Sequence, residues 1–572
     1  MLREQIKKDI AKAISNFKFP ISNAEIEVTR TSDPEFGDFA TNLPLKISRG
    51  SKQSPMESAR LLADSLKDLP YVEKLEVKEP GFINFFLKNE VWQKQVEDVL
   101  NRGSKYGANE IAKGQKARVE FVSANPTGPL HFGNARGGPI GDSLASVLEF
   151  CGYQVLREYI DNDRGNQVCD LGKTLAARAG FIKVNKADLV YQGAYTKEIA
   201  QKIKPKIGRI TNLSERQIIQ KAGEVGVAIL FKEIIADIAD MGIKYDLVVH
   251  ESDLQKEAAK VLSGLEKKGL LVKKEGAVWF APRNEFLKDK DAVVIKSDGS
   301  YTYFTADVVY HQQKFASGYN LVVDIFGSNT VGHVPKLKSL AQALGFDLSK
   351  FKVILYQFVR IKRGNEVVKM SKRAGNFVTV REVLDEVGRD ATRFFILMHD
   401  ANSHIDFDLD LARKKSKENP VYYVQYAHAR IASILAKARG PVSSSSHSTS
   451  SANINSKRGQ KPSVGLRALS GTPSAAATPR YELLNTNYEL VLIKQITRLP
   501  EIIEDISSSF AVHRLTSYAI DLADSFHKFY ENCQVLGAGG DLESARLSLI
   551  LATKIALFNT LKLLGVSAPE KM

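Results

Sequence analysis

The chain has 572 residues, of which 44% are apolar and 25% charged; this is the make-up of a folded globular protein, too long for one core, and roughly three domains are expected. A formal net charge of +15 points to a polyanionic partner, nucleic acid ahead of an anionic membrane surface. Cys151, Cys169 and Cys533 lack C-x-x-C spacing, which argues against a disulfide frame or a zinc site and for a reducing compartment.

The first segment, from Met1, reads as an amphipathic helix with Leu2, Ile6, Ile10 and Ile14 at a spacing of four, and it lacks the apolar stretch of a signal peptide. No apolar run approaches the ~20 residues of a bilayer span. Val72 to Phe86 reads as two strands around Pro80-Gly81. From about 117 the pattern becomes strand–helix–strand. Val119 to Val122 is apolar, Ile140, Leu144, Val147, Leu148 and Cys151 mark one helical face closed by Gly152, and Val155 to Ile160 returns as a strand. Such a βαβ unit predicts a parallel sheet.

Residues from about 165 to 290 read as largely helical and inserted into the sheet, with Ser214 and Gln217 as a capping box. Lys296 to Tyr301 reads as a hairpin turn, followed by a short helix from about Ala306. Leu321 to Phe326 and Phe351 to Phe358 are further strands. After about 380 strand signals vanish, and Val421, Val424, His428, Ile431 and Leu435 set a helical period. Residues 441–480, rich in Ser, Ala, Gly and Pro, carry five Lys/Arg and no acid, the composition of a disordered surface insertion.

The expected fold is α/β: an α+β domain over 1–112, a Rossmann-like parallel-sheet domain over 113–387 with its helical insertion, and an all-α domain over 388–572.

Two segments carry chemistry. Ser123-Ala-Asn-Pro-Thr-Gly-Pro-Leu-His131-Phe-Gly-Asn134 runs from a strand through a turn into a glycine-rich helix start. Unpaired backbone N–H groups there suit a polyphosphate, and Gly133 allows close approach. Lys369-Met370-Ser371-Lys372 is a compact basic loop far downstream, able to stabilise charge growing on a pyrophosphate. Together they suggest an enzyme holding ATP from two sides.

These segments resemble the HIGH and KMSKS motifs of class I aminoacyl-tRNA synthetases, and the surroundings resemble the arginyl-tRNA synthetase family. The further matches are Tyr191-Gln-Gly-Ala-Tyr195, Tyr301-Thr-Tyr-Phe-Thr-Ala-Asp307, Asp390-Ala-Thr-Arg393, Asn419 to Arg430, and Gly37 to Pro44 with Gly81 to Phe85. The likeness spans nearly the whole chain except 441–480. Asn134 stands where HIGH has its second histidine, and Gly327-Ser-Asn-Thr where the family has an acidic run.

The resemblance implies ligation of L-arginine to tRNA(Arg) through an arginyl-adenylate, with ATP as substrate, Mg²⁺ accompanying it and no zinc. It implies His131, Asn134, Lys369 and Lys372 as catalytic groups, and an ATP site of His131, Gly133, Asn134, Gly327, Lys369, Met370, Ser371 and Lys372. It implies an arginine pocket of Glu120, Ser123, Asn125, Asn134, Tyr303, Asp307 and Asn329, with Asp307 on the guanidinium and Glu120 assisting. Activation is expected to need bound tRNA, which the N-terminal domain and the C-terminal anticodon-binding domain would contact, the latter through Tyr422, Tyr423, Tyr426 and Arg430. A cytoplasmic monomer without membrane attachment is expected. Three alternatives stay open: a synthetase for another amino acid such as cysteine, against which the lack of paired cysteines speaks; a catalytically inactive tRNA binder; and a small-molecule nucleotidyltransferase.

Overall fold

Five parallel strands form the central sheet in the order Phe351–Tyr356, Leu321–Gly327, Lys116–Phe121, Gln154–Asp161, Leu247–His250. The computed structural model describes residues 1–15, 26–49, 53–208, 213–288, 290–364, 366–368, 377–439 and 479–572. The basic loop 369–372 and nearly all of the 441–480 stretch therefore lie outside the described residues. The sheet order reverses beside Lys116–Phe121: the chain leaves that strand toward Gln154–Asp161 and returns later on its other side. Such a switch point leaves a crevice beyond the carboxyl ends of the strands.

The helix Gly137–Phe150 crosses back between the first two strands and buries Ile140, Leu144, Val147 and Leu148, as the periodicity predicts, with Gly152 at φ +94° just beyond its end. It lies so close to the sheet that a Cβ on Gly141 would overlap the Phe121 ring. Arg136, at its start, is fully buried and donates from Nη1 to the carbonyls of Gln357 and Ser403 and from Nη2 to that of Asp400, all at 2.7 Å. Burial brings the guanidinium down to about 10. Arg136→Met removes these three charge-assisted hydrogen bonds and is expected to cost about 2–4 kcal/mol, read as a lower urea midpoint.

Strand alignment places three acids side by side, because Glu120 is in register with Glu158 on one neighbour and with Asp324 on the other. All three are buried. Three uncompensated carboxylates could not fold into a sheet interior. The helix Tyr303–Ala316 neutralises them with Lys314, whose Nζ lies 2.5 Å from Glu120, 2.7 Å from Asp324 and 3.7 Å from Glu158. Arg118 pairs with Glu158, and His311 Nε2 sits 2.9 Å from Asp324. Despite burial, which alone would raise it, Lys314 and His311 hold the Asp324 carboxyl below its usual range.

The N-terminal part pairs helix Leu2–Ser15, with Ile6, Ile10 and Ile14 buried, against a four-stranded antiparallel sheet that contains the expected strands Val72–Lys78 and Phe82–Leu87. It docks on the C-terminal helices through Arg30, whose Nε donates to Glu501 at 2.8 Å, and Arg3, whose Nη1 donates to Asp505 at 2.7 Å. The C-terminal part is helical from Pro420–Ala438 to Gly540–Leu564. Arg393, fully buried in the helix Val380–Leu397, bonds the carbonyls of Leu564 and Met241 and the carboxylate of Asp142, locking this bundle to the helix behind the sheet.

Three readings change. The stretch 165–290 is mostly helical but supplies the edge strand Leu247–His250 and two strands, Leu271–Lys274 and Ala277–Phe280, of a small antiparallel sheet completed by Ala292–Ile295. Leu247–His250 is short and only half-buried, so its apolar signal is weak. The helix expected from Ala306 begins at Tyr303. Beyond 380 one strand survives among the described residues, Ile405–Asp408, pairing parallel to Val359–Arg363. Gly540–Leu564 is by length and mean hydropathy long and apolar enough to cross a bilayer, although polar residues interrupt every continuous apolar stretch in it; 78% of its most apolar 18-residue stretch is buried, packed among the C-terminal helices.

Candidate active site

The strand Lys116–Phe121 ends in a backbone that ordinary residues avoid. Val122 has φ +70° and Ser123 φ +41°, and a β-branched residue in that region is strained by about 1–3 kcal/mol. The surroundings hold it there. Ser123 Oγ donates to Glu120 at 2.9 Å and accepts from the Ile160 N–H at 3.1 Å. Four tyrosine hydroxyls donate to carbonyls of the following turn: Tyr245 to Phe121, Tyr159 to Ala124, Tyr195 to Thr127 and Tyr356 to Asn134, at 2.7–2.9 Å. Burial raises all four phenols, so each remains a donor.

Beyond this strand end lies a cavity of about 370 Å³ lined by Glu120, Ser123, Asn125, Asn134, Tyr303, Asp307, Gly327 and Asn329. All seven residues expected for the amino-acid pocket thus line one space, although they come from three separated segments. Tyr303 and Asp307 lie one turn apart on a single helix, as their spacing requires. Asp307 is half-buried with His333 Nδ1 3.5 Å from its Oδ2. Asn125 is fixed at both ends, donating to Gln167 at 2.9 Å and accepting from Asn162 at 2.8 Å. The Asn329 amide folds over Gly327, where a Cβ would lie 2.6 Å from its Oδ1. Glu120 is different: Lys314 takes Oε2 and Ser123 takes Oε1, leaving it to hold Ser123 rather than to meet a ligand.

One acid in the wall escaped the sequence reading. Glu251 begins the helix after strand Leu247–His250, is 3% exposed, and its Oε2 has no hydrogen-bond partner among the described residues. Burial, reinforced by the nearby Asp163 and Asp307, raises its carboxyl to about 7. Sequence alone offers no signal for it, since an acid in a helix's first turn is an ordinary dipole partner. Among the described residues no Lys or Arg lines the cavity.

A second cavity, of about 290 Å³, shares Ala124, Asn125, Asn134 and Gln167 with the first and adds His131, Tyr191 and Tyr195. Here one expectation is corrected. The N–H groups at the start of the Phe132–Ala135 turn are not free: Phe132 donates to Val378 O, Gly133 to His131 Nδ1 at 2.9 Å and Asn134 to His131 O. The tight turn folds these donors onto their own neighbours, so phosphate contact falls to side chains. With Nδ1 accepting, the neutral His131 ring carries its proton on Nε2. His131 also precedes the helical residues as their cap, with extended backbone, so it does not share a helical face with Asn134. Lys369, Met370, Ser371 and Lys372 lie outside the described residues, but their flanks do not. Val380 N–H donates to Leu130 O, His131 bridges Thr379, and the Phe377 ring lies 5.5 Å from the His131 ring. Lys372 is five residues from Phe377, at most about 18 Å of chain.

On the helix Pro420–Ala438, Tyr422 stacks on Tyr426 at 6.4 Å and Tyr426 on His527 at 5.9 Å. Arg430 lies 4.3 Å over Tyr530. Tyr426 is 39% exposed, while Tyr423 is tucked against His527. His527 and Tyr530 were missed, although their spacing on Arg514–Asn532 is helical.

A parallel sheet with its crevice at the switch point, a histidine turn paired to the flank of a distant basic loop, and an attached helical bundle are the marks of the class I aminoacyl-tRNA synthetases. The family model described as "tRNA synthetases class I (R), catalytic domain" matches residues 95–408, "Arginyl tRNA synthetase N terminal domain" matches 4–87, and "DALR anticodon binding domain" matches 465–572. The chain belongs to the arginyl-tRNA synthetase family. It is 39% identical to the arginine–tRNA ligase of Geobacter sp. (strain M21) over 100% of both chains, and 41% identical to that of Moorella thermoacetica over 94% of this chain and 92% of the relative. Its fold matches the solved Thermus thermophilus arginyl-tRNA synthetase with a TM-score of 0.75 at 22% identity, covering 100% of both chains.

Proposed function

We propose that the two joined cavities are where this arginyl-tRNA synthetase makes arginyl-adenylate and passes the arginyl group to tRNA(Arg), releasing AMP and pyrophosphate. The observation that carries this is the charge of the first cavity: Asp307 and Glu251 face a space with no Lys or Arg among the described residues of its wall, which suits a guanidinium with five donors. Tyr303, Ser123, Asn125 and Asn329 complete the amino-acid pocket, and the α-phosphate of ATP sits at the seam by Asn134. The arginine carboxylate attacks that phosphorus in line, without a protein nucleophile. His131, Asn134, Lys369 and Lys372 stabilise the charge, with Gly133, Gly327, Met370 and Ser371 against the nucleotide. Mg²⁺ bound with ATP supplies further charge neutralisation. Tyr422, Tyr426 and Arg430 offer stacking surfaces for unpaired tRNA bases, with Tyr423 beneath them, and the 1–112 region contacts the tRNA elsewhere. The division at 112 and 387, a monomeric state and a cytoplasmic location belong to the same reading.

The test is charging of a purified tRNA pool with each of the twenty amino acids. Arginine alone should be transferred; transfer of another amino acid, or none, overturns the proposal, and the second result favours an inactive tRNA binder. ATP–pyrophosphate exchange with arginine should be slow until tRNA is added.

Glu251 gives a pH prediction. Its carboxyl is raised to about 7 in the arginine-free protein, so it is largely protonated below that pH, and a guanidinium binds its ionised form. Arginine affinity should therefore increase as pH rises from about 6 to about 8, with one proton released on binding. Titration calorimetry in two buffers measures both, and Glu251→Gln should flatten the slope.

A further inference from the structure

Beside the amino-acid cavity, at the carboxyl ends of two neighbouring strands, Asp161, Asp163 and His250 bring one donor atom each to within 4.8 Å of one another. Asp161 closes the strand Gln154–Asp161, and register places it opposite His250 at the end of Leu247–His250. Asp161 Oδ2 is 3.0 Å from His250 Nδ1. Its other oxygen is unpaired: Asp161 is 3% exposed, and Oδ1 has no hydrogen-bond partner among the described residues. An orphaned carboxylate oxygen at that depth costs stability unless a hydrogen-bond donor or a cation meets it.

The neighbourhood deepens the deficit. Glu251, also 3% exposed with an orphaned oxygen, lies close enough to feel the charge of Asp163. Arg164, the adjacent cation in sequence, reaches Glu224 at 3.5 Å instead. Two features hold the donors in place. Asp163 Oδ1 accepts the Ser252 N–H at 2.8 Å, and the His250 ring packs edge-on against Phe231 at 5.8 Å. Such outer contacts commonly orient ligands in built metal sites.

We propose that Asp161, Asp163 and His250 bind a divalent first-row transition-metal ion. An imidazole with two carboxylates favours zinc, cobalt or manganese over magnesium or calcium, which prefer all-oxygen surroundings. Bonds of about 2.1 Å would draw the three donors together by less than an ångström each, and water would complete the coordination. The ion would clip together two strand ends that otherwise meet through backbone pairing and the Asp161–His250 contact. It would also steady Asn162, which lies between two of the ligands and holds Asn125 of the amino-acid pocket. The site uses none of the groups assigned to ATP or the guanidinium, so it stands or falls apart from the proposed reaction.

The test uses the full chain stripped with chelator, without ATP or tRNA, titrated with Zn²⁺ by calorimetry and with Co²⁺ by visible absorption. One tight ion per chain is expected, with the Co²⁺ spectrum of a nitrogen- and oxygen-bound ion and a raised thermal midpoint. His250→Ala should weaken binding at least tenfold. Its side chain is 41% exposed, so the variant should fold, and an unchanged metal-free thermal midpoint verifies this; Asp163→Asn serves as a second variant with the same expectation. Absence of a tight ion, equal affinity in His250→Ala and the parent, or loss of the ion in His131→Asn but not in His250→Ala overturns the proposal.

Discussion

Asp307→Asn should raise the arginine KM roughly 100- to 1,000-fold while leaving the ATP KM nearly unchanged. The substitution keeps shape and one acceptor but removes the charge facing the guanidinium. Loss of one partner from a desolvated, hydrogen-bonded charge pair costs about 3–4 kcal/mol, and each 1.4 kcal/mol is tenfold. Asp307 can exert this effect because among the described residues its only ion-pair neighbour is His333 at 3.5 Å, and because no Lys or Arg among them lines the cavity to replace an arginine substrate. Steady-state charging with varied arginine measures it. A change below about tenfold would mean that Glu251 or another acid carries the guanidinium. Discrimination against lysine should weaken in the same variant, since a compact ammonium leaves fewer groups unpaired in a less demanding pocket.

The second large effect is expected at His131. His131→Ala should lower kcat by about 100- to 1,000-fold, the loss typical of removing one donor aimed at developing charge, with arginine binding unaltered. The ring has two jobs, since Nδ1 caps the Gly133 N–H at 2.9 Å while Nε2 carries the proton. Loss of the cap alone costs about 1 kcal/mol, and it would be read in the thermal midpoint. His131→Asn separates the two, because asparagine caps well but cannot place a donor where Nε2 lies. If His131→Asn turns over at the parental rate, the histidine serves the fold and not the reaction.

Much of the architecture was legible because it is written in short-range patterns. The βαβ unit follows from an apolar strand, a helical face at Ile140, Leu144, Val147 and Leu148, and a glycine in the left-handed region at 152. The capping box at Ser214 and Gln217 opens the helix Glu215–Asp240. The pocket residues were reached through contiguous motifs, and the structure gathers Ser123, Asn125, Asn134, Tyr303, Asp307 and Asn329 around one cavity. Where the reading failed, the signal was never local. Leu247–His250 is four residues long and is a strand only because Gln154–Asp161 offers it an edge. The donors of the Phe132–Ala135 turn looked available until the turn closed on them.

Composition and motif order thus determined the α/β class, the family and the described segments that line one cavity, since periodicity and turn chemistry act between residues a few positions apart. The tertiary structure alone decided what each acid does. Glu120, Glu158 and Asp324 become neutralised framework because register aligns them and Lys314 arrives from a helix almost two hundred positions beyond Glu120. Glu251 and Asp307 instead face a cavity with no lysine or arginine among its described lining residues. A carboxylate's role is set by the cations and water within a few ångströms of it, and distance in space is the quantity a linear sequence does not carry.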